Sequence, residues 1–220
     1  MVRALHDVLA PDDRVLVIDD NSPDGTGAVA DALAAELPFV DVLHRARKDG
    51  LGPAYIAGFR RALAHGARFV VEMDCDFSHD PRDVPRLIAA AEAGADVVLG
   101  SRYVAGGSVG DWGALRRLIS RGASIYTRLL LMPVHDPTGG FKCYRREVLE
   151  SIDLDAVASK GYAFQIETTF RALRAGFRVV EVPIRFVDRE VGGSKMSRAI
   201  VLEAAWKVPA LRLAALRGTL

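Results

Sequence analysis

Cysteine is scarce in this sequence: among 220 residues there are two, Cys75 and Cys143. Their separation matches no zinc-ligand spacing, and two thiols cannot build a disulfide-stapled framework, so a reducing cytosol suits the chain. Long apolar runs are missing as well. No window approaches the ~20 uninterrupted apolar residues of a membrane-spanning helix. Residues 1–13, MVRALHDVLAPDD, lack the basic start, apolar stretch and cleavage site of a secretory signal. Any membrane role expected of this sequence is therefore peripheral, at a cytoplasmic face. Nor is there an excess of one charge: 29 Lys and Arg against 28 Asp and Glu give a net charge of +1. That balance lacks the basic surplus that supplies most nucleic-acid affinity, so no nucleic-acid partner is expected. The five histidines share no metal-ligand spacing, and His79 and His135 read as turn residues. The thiols have no paired histidine motif that would make either a nucleophile.

What is present is an ordinary globular composition, 50% apolar and 26% charged, enough for one domain with a substantial core. No repeat, low-complexity tract or linker divides it. The β-branched run Val15-Leu16-Val17-Ile18 empties into Asp19-Asp20-Asn21-Ser22-Pro23-Asp24-Gly25, a buried strand followed by a polar turn. Apolar spacing then predicts a helix over 26–37, a strand over 40–43, a helix over 53–65 and a strand over 69–73. A helix over 81–93 and a strand over 97–99 continue the series. Such alternation predicts an α/β fold, a mostly parallel central sheet with helices on both faces and ligands beyond the carboxyl ends of its strands. The second half, from about 110, brings a glycine-rich stretch, an arginine-bearing helix over 112–132 and a strand over 141–144. A helix over 162–175, a strand over 178–187 and a last helix from about 197, broken at Pro209, complete it. The change of texture near 110 is read as a functional boundary within one domain rather than a break between domains.

Asp74-Cys75-Asp76 sets two carboxylates two residues apart at a strand end, where a period of two would aim both to one side. Two such oxygens suit magnesium or manganese, with substrate phosphates completing the shell. The same residues also read as an acidic turn capping the next helix, aided by Ser78 and Asp80 ahead of Pro81. Arg116 and Ser120, four apart on one helix, could grip a phosphate monoester, or belong to a solvated face with Arg117, Arg121 and Arg128. That helix is apolar as well as cationic, through Leu115, Leu118, Ile119, Ile125 and Leu129 to Leu131, a combination that suits either an anionic bilayer surface or core packing. Trp206 of the last helix reads first as packed against the core and second as an anchor at an interface.

Two runs, Asp19-Asp20-Asn21-Ser22-Pro23-Asp24-Gly25-Thr26 and Met73-Asp74-Cys75-Asp76-Phe77-Ser78-His79-Asp80-Pro81, resemble the signatures of the inverting, nucleotide-sugar glycosyltransferases of family 2, which share the GT-A fold. Gly100-Ser101-Arg102-Tyr103, Trp112-Gly113 with Arg116-Arg117, and Ser120-Arg121-Gly122-Ala123 narrow the likeness to dolichol-phosphate and polyprenol-phosphate mannose synthases. The resemblance runs from about residue 13 to 200. It implies transfer of mannose from GDP-mannose to a dolichyl or polyprenyl phosphate. Asp20, with Cys75, would meet the donor; Asp74, Asp76 and Ser78 would hold Mg2+ or Mn2+ and the diphosphate. Arg102 would steady the sugar or the acceptor phosphate, Arg116 and Ser120 would bind the lipid phosphate, and Arg189 and Lys195 would come from a loop closing over the donor. Asp136 would position groups, because a phosphate acceptor needs no base. The family's first strand and its Pro-x-Tyr-Asn-Glu-like loop have no counterpart here, residues 1–9 reading as the helix that follows them, so part of the nucleotide cradle is expected to be absent. A UDP-glucose enzyme of the same family and a non-catalytic nucleotide-binding subunit are the competing readings, and the partner at the membrane is either the bilayer surface or an embedded protein.

Overall fold

The structure, a computed structural model, describes residues 1–110, 112–157, 159, 161–188 and 198–220. In chain order the elements are α1 (Val2–His6), β1 (Val15–Asp19), α2 (Thr26–Glu36), β2 (Val40–His44), α3 (Leu51–Ala64) and β3 (Phe69–Glu72). A 3-10 turn (Pro81–Asp83) leads to α4 (Val84–Glu92), β4 (Val97–Ser101), β5 (Ser108–Val109) and α5 (Ala114–Leu130). Then follow β6 (Lys142–Arg145), α6 (Arg146–Ser151), α7 (Gly161–Arg174), β7 (Val179–Pro183), β8 (Arg185–Phe186) and α8 (Arg198–Arg217).

Among the described residues the strands form two main sheets. β1 and β2 pair in parallel, and a four-stranded sheet runs in the order β3-β6-β4-β7. β4 and β7 are parallel, whereas β6 runs antiparallel to both its neighbours, and β5 pairs in parallel with β8. Helix α3 packs across both sheets: Gly58 leaves no room for a Cβ against Ile18 of β1, while Tyr55, Ile56 and Leu63 join the core beneath the larger sheet.

Strand periodicity divides that core in two. Val97 and Leu99 of β4 and Tyr144 of β6 face one side, with Phe59, Phe164, Phe170, Val208 and Leu211 from the helices. Val98 and Cys143 face the other, with Leu87 and Ala91 of α4 and Leu5 of α1. Helices thus cover both faces, as the uninterrupted burial of β4 requires. Burial pushes the Cys143 thiol up to about 12, so it is inert packing.

Three expectations need correction. Pro209 does not break the last helix, which is continuous through it. A proline cannot donate to the carbonyl four residues earlier, and here that carbonyl, Ala205 O, accepts instead from the Tyr126 hydroxyl of α5 at 2.9 Å. Trp206 is not in the core but 75% exposed, because α8 turns Val208 and Leu211 inward. Core packing does not explain the apolar side of α5 either. The helix buries Ser120, Ser124 and Thr127 and exposes Leu115, Leu118, Ile125 and Leu129, the reverse of a water-facing helix.

Candidate active site

Asp19 closes β1, Glu72 closes β3 and Ser101 closes β4. Asp20, Asp74 and Arg102 therefore emerge past the carboxyl ends of three strands, and the loop holding Asp136 enters the antiparallel β6 at the same end. Asp19 is buried and accepts from the Ser22 amide at 3.2 Å and from His44 at 3.3 Å; its pKa is lowered, first by the Ser22 side chain and then by the Ser22 amide and His44, against the opposing effect of burial. Asp20 is ion-paired with Arg45.

β3 ends two residues before Asp74, so strand periodicity does not orient the acidic pair. A turn does so instead. Asp76 Oδ1 accepts from the Ser78 amide at 3.0 Å, and Phe77 between them takes φ 60, a left-handed conformation costly for a residue with a Cβ. The Asp74 amide donates to His79 Nδ1 at 3.3 Å. His79 is buried, its pKa lowered to about 4 by that burial and then by Arg102, so the ring stays neutral and can accept this bond. Helix capping falls to Asp80, whose carboxylate accepts from the Arg82 amide at 2.9 Å. Asp74 and Asp76 are not the cap. Ser78 Oγ is buried with no hydrogen-bond partner among the described residues, and an oxygen of this kind, like a carboxylate oxygen, is one a hard cation takes. Cys75, between Asp74 and Asp76, is an exposed free thiol.

Arg102 and Asp136 form a buried clamp. The Arg102 amide and Nε donate to Asp136 Oδ2 at 2.8 and 2.7 Å, and Nη2 donates to Asp136 Oδ1 at 2.6 Å and to Thr138 Oγ1 at 3.0 Å. Burial opposes the arginine's charge, yet the carboxylate more than offsets it and raises the pKa. Asp136 is thereby locked to Arg102 through both of its oxygens. Behind it, Glu181 accepts from the amides of His135 and Asp136, both at 2.9 Å. Gln165 and Glu167 lie within α7; Glu167 accepts from Ser159 and from Arg171, a structural assignment.

Aromatic contacts carry the acidic turn to the arginines of α5. His79 meets Phe186 edge-on at 5.4 Å, Phe186 meets Trp112 at 5.6 Å, and the Arg116 guanidinium sits 3.9 Å over the Trp112 ring. Tyr103, next to Arg102, donates through its hydroxyl to Ser120 Oγ at 2.5 Å. The structure thus brings Asp74, His79, Arg102, Asp136, Arg116 and Ser120 into one contact network. Arg189 and Lys195 lie outside the described residues. Sequence reasoning assigned no part to Tyr103, Trp112, Phe186 or Asp188. Tyr103 and Trp112 stand inside the family runs, but Asp188 reaches Arg116 across 72 residues, a pairing that no local spacing reveals.

A sheet edge carrying an Asp-x-Asp turn, beside a helix that bears arginines, fits a GT-A glycosyltransferase. The chain belongs to glycosyltransferase family 2, whose model matches residues 1–153. It is 54% identical over 200 residues to a polyprenol monophosphomannose synthase of Mycolicibacterium smegmatis, covering 90% of this chain and 76% of that one. It is also 54% identical over 206 residues to an undecaprenyl-phosphate mannosyltransferase of Micrococcus luteus, covering 93% and 84%. Among solved structures, the fold is shared with glucosyl-3-phosphoglycerate synthase of Mycobacterium tuberculosis in complex with Mn2+, UDP-glucose and phosphoglyceric acid. That likeness has a TM-score of 0.66 at 20% identity, over 90% of this chain and 68% of that one.

Proposed function

We propose that this glycosyltransferase moves mannose from GDP-mannose to a dolichyl or polyprenyl phosphate, with inversion at the anomeric carbon, while bound peripherally at the cytoplasmic face of a membrane. The observation that carries this reading is the inverted polarity of α5, which presents Arg116 and Ser120 to the site and leucines to the outside. The names of the two relatives support the sugar and the acceptor class. We place the donor half in about residues 1–110 and the acceptor half in 111–220, within one domain.

Asp74, Asp76 and Ser78 would hold Mg2+ or Mn2+, which as a Lewis acid supplies charge stabilisation to the departing diphosphate. The protein's own groups do the rest. Asp20 and Cys75 border the donor side. Arg116 and Ser120 hold the acceptor phosphate so that one of its oxygens faces the anomeric carbon. That oxygen forms the new bond as the bond to GDP breaks. With a second pKa near ~6, the acceptor is already largely dianionic at neutral pH, so no base is required. Arg102 borders the transferred sugar and is fixed by Asp136, and Arg189 and Lys195 add positive charge toward the diphosphate.

The outer surface fits a lipid substrate. Leu115, Leu118, Leu129, Trp206 and Leu216 are each exposed by 70% or more, and a groove of about 340 Å³ between α5 and α8 is lined by Leu130, Pro209, Arg212, Leu213 and Leu216. Among the described residues no helix is long and apolar enough to cross a membrane. A donor panel tests the reading: GDP-mannose should be transferred to polyprenyl phosphate with an inverted anomeric centre. Preference for UDP-glucose would reassign the donor, and a retained configuration would overturn the direct attack.

A further inference from the structure

The Arg116 site already holds an anion. Asp188 accepts from Trp112 Nε1 through Oδ1 at 3.0 Å and from Arg116 Nη1 through Oδ2 at 2.8 Å. The carboxylate meets Arg116 end-on, and Arg116 Nε remains buried with no hydrogen-bond partner among the described residues. An orphaned donor on a guanidinium is costly, particularly beside an anion that cannot reach it. Held through Nη1 alone, Asp188 leaves Arg116 Nε without an acceptor, whereas a phosphate monoester would bring a third oxygen and twice the charge to Arg116 Nη1, Arg116 Nε and Trp112 Nε1.

We propose that Asp188 occupies the acceptor-phosphate position and is displaced by the acceptor, so that Asp188 and Trp112 together set the specificity of this site for a dianionic phosphate monoester. The inference rests on the reading of Arg116 as an acceptor-phosphate ligand. It adds Trp112 Nε1 as a second donor to that phosphate and gives Asp188 the part of an internal competitor. The competitor must be weak enough to leave: the pair is partly exposed, with side-chain exposures of 26% for Arg116 and 44% for Asp188, and such pairs hold by up to about 1 kcal/mol.

The test is steady-state kinetics of Asp188→Asn with geranyl phosphate as acceptor. Asparagine keeps an oxygen for Trp112 but removes the charge on Arg116, so the acceptor KM should fall about threefold to fivefold, with the GDP-mannose KM within about twofold of the parent. A second arm needs no change at 188. In Trp206→Phe, Trp112 is the sole tryptophan, and geranyl phosphate should shift its emission saturably as the carboxylate is exchanged for phosphate. An acceptor KM that is unchanged or raised in Asp188→Asn, or emission indifferent to geranyl phosphate, would overturn the proposal. Arg116→Gln separates the two levels. If it raises the acceptor KM while Asp188→Asn does not lower it, only the competitor idea fails; if it leaves the acceptor KM alone, the acceptor site itself has been misplaced.

Discussion

Lys142 and Glu72 sit opposite each other in adjacent strands, both fully buried, with Nζ 3.9 Å from the carboxylate. Burial pushes the Glu72 carboxyl up to about 8 and the Lys142 ammonium down to about 8. Lys142 is held instead by Gln165 O at 2.8 Å and Thr169 Oγ1 at 3.0 Å, and neither Glu72 oxygen has a hydrogen bond among the described residues. Lys142→Met should destabilise the protein by about 3 kcal/mol, because it strands a buried carboxyl and two acceptors. Adding Glu72→Gln should recover part of that loss, read by denaturant unfolding; equal stability of the single variant and the parent would show that the pair contributes nothing. Neither residue stood out in the sequence, where Lys142 reads as one more cation among many. Only the pairing of β3 with β6 reveals it. The same holds for His79, which reads as a turn residue by its neighbours, and which the fold buries against Phe141 and Phe186 with the Asp74 amide in reach.

At the scale of elements, the strands and helices of the donor half were legible because β-branched runs and helical spacing are local signals. β6 and α7 were legible too, but the direction of β6 was not, since antiparallel insertion between β3 and β4 is decided by packing far along the chain. Pro209 shows the limit most clearly. Proline is the strongest helix-breaking signal a sequence carries, and it was overridden by a hydroxyl from another helix. The Tyr126 to Ala205 bond should contribute about 1 kcal/mol. Tyr126→Phe should lower stability by that amount in the parent but by much less in a Pro209→Ala background, where residue 209 supplies its own amide to Ala205. An equal loss in both backgrounds would show that the tyrosine acts through packing alone.

For the whole molecule, the two faces of α5 connect chemistry to location. Its polar side meets Tyr103 and Asp188, while its apolar side, together with α8, stays exposed beside Arg117, Arg121, Arg128 and Arg212. A lipid phosphate could then reach Arg116 with its chain remaining in the bilayer, as expected of apolar helices ringed by cations at an anionic surface. Flotation with vesicles containing anionic phospholipid should recover the parent protein, and Leu118→Asp with Leu129→Asp should leave most of it unbound with its unfolding midpoint unchanged. Equal flotation of both would move the membrane contact elsewhere. The sequence showed that this helix was both cationic and apolar; it could not show which side faced inward.

We propose that the Asp74 and Asp76 turn and the Arg116 pair are two halves of one mannosyl-transfer site. It is tested most directly by incubating the protein with labelled GDP-mannose, polyprenyl phosphate and Mn2+ and identifying the lipid product. A mannosyl phospholipid should form only with the metal present and be lost in Asp76→Ala; full activity of that variant, or transfer undiminished by chelation, would show that the metal turn is not part of the site.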